Sequence, residues 1–204
     1  MLKKKNIEAI LVVVLIVASF ASMFGLSFLF STINSSSNSI VESNNDEWTI
    51  VVDGLVINSL NLTYDDLLAM PSKTVTAKLW CVDDPTGLSA HTYDWTGVSL
   101  KYVLEIAGVS VNAEKIALYA ADGYSTDLTL ETALRSGADI IIAYKRDGKF
   151  ISKTDEGFPP LQLVVPGKYG YKWIKYLTHI EVVNYDYLGT YERRGYSDEA
   201  DLPK

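Results

Sequence analysis

Residues 9–30 of this 204-residue chain form a largely apolar run, interrupted only by small or hydroxyl residues and preceded by Lys3, Lys4 and Lys5. As a helix rising 1.5 Å per residue the run would span about 33 Å, enough for a bilayer core of about 30 Å. A cleaved signal has a shorter apolar core of about 7–15 residues; the small-residue patch at 18–22 is where such a signal would be cut. The lysines favour the cytoplasmic side. The expectation is a single-pass anchor at residues 1–30, one N-terminal transmembrane helix in the cell membrane, with the rest of the chain outside the cytoplasm.

The anchor removes those residues from any globular core. Residues 31–47 are rich in serine and asparagine and cannot bury one either, so they read as a flexible tether. What remains, residues 48–204, suits one domain of ordinary size. It carries 15 Lys and Arg against 21 Asp and Glu, a net charge of −6, which argues against a nucleic-acid partner.

Short strands and short helices alternate through this domain. "WTIVVDG" reads as a strand, and "LTYDDLLAMP" as a helix with Thr63 as cap, Asp65 and Asp66 in the first turn, and Pro71 as stop. "TVTAKLW" alternates apolar and polar residues as a half-buried strand does, and it delivers Cys81 at its end. Residues 82–96 read as a long polar segment. In "VSLKYVLEIAGV" a helix runs from a Ser99 cap to Gly108, with Leu100, Val103, Leu104 and Ala107 on one face. "EKIALYAADGY" and "DIIIAYKRDGK" are strands running into turns, with the short helix "TLETALRSGA" between them. "PPLQLVVPG" and "LTHIEVVNY" are two further strands. The predicted class is α+β with a mixed sheet at its centre and short helices around it.

Hydrolytic constellations are hard to assemble from these residues. There are two histidines: His179 lies inside a strand, and His91 follows the only cysteine by ten residues. No zinc-ligand spacing occurs, and the pairs Asp65–Asp66 and Asp83–Asp84 read as helix-start and loop residues. Cys81 has two readings, a small buried packing residue or a thiolate ligand for a soft metal centre. The loop between the last two strands carries Lys168, Lys172 and Lys175 and no acid, with glycines at 167 and 170 that let backbone N–H groups approach an anion.

Taken in order, "LTYDDLLAMP", the strand ending in Cys81, "WTGVSLKYVLEIAGV", "ADGYSTDLTLETAL", "GFPPLQLVVPGKYGYKWIKYLTHIEV" and "GTYERRGYSDEA" resemble the molybdopterin-binding oxidoreductase domain of the sulfite oxidase superfamily. The likeness is to its short, membrane-anchored prokaryotic form. The resemblance implies a sulfite-oxidase-like fold and a molybdenum–molybdopterin cofactor, with Cys81 as the protein ligand to the metal. It implies that Gly170, Lys172 and Lys175 contact the pterin and its phosphate, and that Asp122 and Tyr124 lie near the metal's open face, Tyr124 as a catalytic candidate beside Cys81. The chemistry implied is oxygen-atom transfer on a small oxyanion or sulfoxide. No CxxCH haem motif occurs, so a separate electron-transfer partner is implied. The chain departs from the family in two places. Many relatives have arginine where this chain has Gln162, which cannot offer a cationic fork to an anion, and the pterin segment upstream of the first strand is here the tether. These departures keep open a second reading, a cofactor-free binding module that retains the fold. A third is a thiol redox protein acting through Cys81 alone, without the second cysteine of a CxxC pair.

Overall fold

The structure, a computed structural model, describes residues 48–154 and 156–203. The expected anchor and the whole of the expected tether, residues 1–47, lie outside these residues, and no helix among the described residues is long and apolar enough to cross a membrane.

The chain opens with β1 (Thr49–Gly54), which buries Ile50 and Val52 and pairs antiparallel with β2 (Leu60–Thr63). Helix α1 (Tyr64–Ala69) begins at the expected cap. Thr63 Oγ1 accepts the Asp66 N–H at 3.1 Å, and the Asp66 carboxylate accepts the Thr63 N–H at 2.9 Å, a reciprocal box that satisfies two orphan donors. Strand β3 (Ser72–Leu79) turns back through a loop into β4 (His91–Ser99). Helix α2 (Leu100–Ala107) starts on Ser99 and stops on Gly108, whose φ of 71° is the left-handed cap that glycine adopts without strain. Its four expected core residues are all buried. Then follow β5 (Lys115–Ala120), β6 (Ser125–Thr129), α3 (Leu130–Leu134), β7 (Ile141–Arg146), β8 (Lys149–Phe150), β9 (Gln162–Val164) and β10 (Leu177–Val183).

The class is α+β, but the strands make two sheets rather than one. The first has the order β2-β1-β10-β5-β6 and is mixed, because β1 and β10 run parallel. The second has the order β3-β4-β7-β8 and is antiparallel throughout, with β9 beside β8 along the same edge of β7. One continuous apolar cluster holds residues of both sheets and of α2.

Two stretches differ from the sequence reading. Residues 82–96 are a loop only as far as Ala90, and from His91 they are strand. The polar alternation there belongs to an outer face, on which the Thr74 and Thr96 hydroxyls meet at 2.9 Å and Thr76 donates to Asp94 at 2.6 Å, while Trp95 faces the core. Strand β6 escaped notice because it buries polar residues, Ser125, Thr126 and Asp127, whose partners come from far along the chain.

Candidate functional site

The end of β3 is held from both directions. Trp80 follows the strand, and its carbonyl accepts the Gly170 N–H at 2.8 Å, while its indole N–H donates to the Asp84 carbonyl at 2.8 Å. The Asp84 carboxylate organises the loop that follows. It accepts from the Thr86, Gly87 and Ser89 N–H groups at 3.0, 3.1 and 2.6 Å, and from the Thr86 and Ser89 hydroxyls at 2.5 and 2.7 Å. These donors, that of the Thr86 hydroxyl foremost, hold its pKa well below the ordinary carboxylate value. Cys81 sits between these two fixed points and is exposed. The packing-residue reading of this thiol fails on that exposure.

Cys81 lines a cleft of about 430 Å³, a volume usual for a small-molecule site. The cleft gathers residues from the strand end, the β5–β6 turn, β9, the lysine-bearing loop and the C-terminal segment. Five of the expected site residues meet in it: Cys81, Asp122, Tyr124, Gly170 and Lys175. Asp122 is exposed, and its carboxylate accepts the Tyr124 N–H at 2.9 Å, which shapes the turn. The Tyr124 hydroxyl donates to the Tyr171 carbonyl at 2.6 Å, and burial pushes its pKa well above the ordinary phenol value. Tyr171 stacks on Tyr191 at 5.3 Å and 9°, and burial, then Glu192, pushes its hydroxyl up to about 12. That wall is therefore aromatic and uncharged.

Two expectations for the lysine-bearing loop need correction. Gly170 lines the cleft, but its N–H is committed to the Trp80 carbonyl and is not free for an anion. Its missing side chain matters instead, because a Cβ there would lie 3.2 Å from both the Trp80 carbonyl oxygen and Leu79 Cδ1. Lys172 does not reach the cleft. It is 1 % exposed, and its Nζ lies 2.9 Å from Asp127, 2.7 Å from Glu192 and 3.0 Å from Asp198. Burial alone would lower its pKa; Asp127 and the neighbouring carboxylates outweigh burial and raise it. Lys168 is likewise paired, with Glu199 and Asp201. The acids come from β6 and the C-terminal segment, so a loop that reads as basic in sequence is largely neutralised in space. Lys175 alone of the three is exposed and has no carboxylate partner among the described residues.

The buried cluster does have a place in the site. Lys172 and Lys115 share Asp127 and Asp198, and the Thr126 hydroxyl donates to Glu192 at 2.8 Å. Together they clamp the C-terminal segment against β6 and the loop, which sets Tyr191 against Tyr171 on the cleft wall. The sequence reading missed Tyr171, Trp173 and Tyr191 as lining residues and gave His91 little weight, although it shares the cleft with Cys81. The pattern Thr92, Asp94, Thr96 against Tyr93 and Trp95 would have placed His91 at a strand start; in the structure it pairs with Leu79, which precedes the cysteine by two residues.

Comparison with known proteins places the chain in a family. The family model described as the oxidoreductase molybdopterin binding domain matches residues 37–191. The uncharacterized oxidoreductase YuiH of Bacillus subtilis (strain 168) is 32% identical over 155 residues, covering 76% of this chain and 75% of that protein. An NADH nitrate reductase of Ulva prolifera is 32% identical over 77% of this chain, and an Arabidopsis thaliana sulfite oxidase 25% identical over 73%. The chain spans only 21% and 45% of those two proteins. The crystal structure of the sulfane dehydrogenase SoxCD from Paracoccus pantotrophus shares the fold, with a TM-score of 0.59 over 68% of this chain and 38% of that one, at 24% identity. The matched residues take in the cysteine, the walls of its cleft and the lysine-bearing loop, and on that match the chain belongs to the oxidoreductase molybdopterin-binding domain family.

Proposed function

We propose that the chain is a membrane-anchored oxidoreductase facing outside the cytoplasm, holding a molybdenum–pterin cofactor through the Cys81 thiolate. The observation that carries this reading is the position of Cys81. The only cysteine is exposed, fixed at a strand end by bonds on both sides, and opens onto a cleft of small-molecule size. A thiolate is the soft donor such a metal takes. The donor set fits the group: a thiol at one point of the cleft, the unpaired cation of Lys175 at another, and neutral aromatic surface between them. When bound, the group supplies oxygen-atom transfer, a two-electron change at the metal as one oxygen is gained or lost by a small oxyanion or sulfoxide.

The protein's own residues hold, orient and screen. Lys175 neutralises an anionic group. Tyr124 keeps its proton on Oη, donated to the Tyr171 carbonyl, so it forms a fixed neutral wall and adds no negative charge against an anionic substrate. Asp122 shapes the turn that carries Tyr124, and His91 lines the same cleft. Electrons pass to or from a separate partner. Membrane placement is supported by the lysines and apolar run of residues 3–30.

Membranes from molybdenum-replete cells expressing the full chain are expected to reduce a panel of sulfoxides and oxyanions with a reduced viologen dye as electron source. Membranes from molybdenum-free cells should not. Activity that is indifferent to molybdenum, or recovered only in the soluble fraction, would overturn the corresponding half of the reading.

A further inference from the structure

A second cleft, of about 590 Å³, adjoins the first, and Gln162 and Lys175 line both. Its far side is formed by the β7–β8 hairpin, which contributes Arg146 and Lys149. The Arg146 guanidinium lies over the rings of Tyr93 and Trp95, at 4.9 and 5.8 Å. Stacking of this kind orients a guanidinium while leaving its N–H fork free. Arg146, Lys149 and Lys175 have no carboxylate partner among the described residues. The one described acid on the cleft, Asp147, already accepts the Asp94 N–H at 3.0 Å. Three free cations thus converge on one concavity of a net-acidic domain whose buried lysines are all matched by acids. Trp95 adds a further unmet capacity. It lines this cleft, is 1 % exposed, and its indole N–H has no acceptor among the described residues. Gln162 is buried at the boundary and brings no charge.

We propose that this second cleft binds a phosphate monoester, and that Arg146 and Lys149 supply from the β7–β8 hairpin the positive charge that Gln162 does not supply from β9. The preference for an anion stands on the cleft alone; the choice of a phosphate monoester rests on the reading of the adjoining cleft as a pterin site. In β9, Gln162 pairs with Ala143 of β7, and Arg146 lies three residues further along β7 on the wall of the same cleft.

The test is calorimetric titration of the full chain, purified from cells unable to make the pterin, with inorganic phosphate. Saturable binding is expected. Arg146→Gln should weaken it about tenfold to a hundredfold, the scale of one charge-assisted contact. Lys149→Gln should weaken it as well, and Lys101→Gln, on α2 outside both clefts, should leave it unchanged. Arg146 is exposed, so its variants are expected to melt with the parent chain. Pterin content of the same variants from molybdenum-replete cells separates the sources of the ester. A fall with Arg146→Gln assigns the site to the cofactor's phosphate, and unchanged content with weakened phosphate binding assigns it to a free phosphate monoester. Absence of phosphate binding in the parent chain, or equal binding in Arg146→Gln, overturns the proposal. Cys81 does not line this cleft, so phosphate binding by a parent chain that carries neither molybdenum nor pterin even when purified from molybdenum-replete cells would sink the cofactor reading and leave the anion site standing.

Discussion

Lys172 and Lys175 lie three residues apart and read alike in sequence, yet one is buried among carboxylates and the other faces solvent. Removing one partner of a buried ion cluster strands the others in low dielectric, at a cost of about 3–5 kcal/mol. Lys172→Met is therefore expected to lower the stability of the domain by that amount in urea unfolding. Lys175→Gln should stay within about 0.5 kcal/mol of the parent, as exposed substitutions do. A reversed order would place Lys172 in the cleft after all. The distinction was not legible in the sequence, because Asp127, Glu192 and Asp198 lie 20 to 45 residues from the lysine that needs them. The positions of Cys81 at a strand end and of Asp122 and Tyr124 in a turn were legible, because the local strand and turn signals there are strong.

Among the elements, the helices were read most completely. Thr63, Ser99 and Gly108 act as the caps expected of them, since capping depends on neighbours a few residues away. Strands that bury polar side chains were not read, and β6 is the clearest example: Asp127 is tolerable there only through Lys115 and Lys172. Asp198 of the same cluster adds to the acid sensitivity of the domain. Burial alone would raise the pKa of Asp198, but the hydrogen bonds from Lys115 and Lys172 outweigh burial and lower it. The stabilisation from that carboxylate is present above its unfolded pKa, about 3.9, and is lost as pH falls through the lowered folded value. For Lys172 the shift is upward, so its contribution is present below about pH 10.4 and is lost only as alkaline pH passes the raised folded value. Asp198→Asn should thus flatten the fall in stability below about pH 4, and an unchanged acid limb would contradict the assignment. In the second sheet, β4 meets β7 at an irregular step beside Gly97. A Cβ at Gly97 would lie 2.0 Å from the Ile142 carbonyl oxygen and 2.6 Å from Ala143 Cα, both backbone. Gly97→Ala is expected to destabilise by roughly 1–3 kcal/mol or more, through separation of the two strands, with a matching fall in Tm.

At the scale of the whole molecule, two sheets around one core bring the end of β3, the β5–β6 turn, the loop before β10 and the C-terminal segment to one cleft. The α+β class was legible from the alternation of short elements, but the division into two sheets was not, because strand partners such as β1 and β10 lie more than a hundred residues apart. The central claim is that this assembly exists to present one thiolate to a metal. Molybdenum content per chain, measured by elemental analysis on protein from molybdenum-replete cells, tests it most directly, with Cys81→Ser as the comparison, since serine is nearly isosteric and a much poorer ligand for a soft centre. The account predicts near-stoichiometric molybdenum in the parent chain and little or none in a Cys81→Ser variant that folds and melts normally. A parent chain without molybdenum that matches its serine variant in every respect would contradict the account and make the domain a cofactor-free binding module.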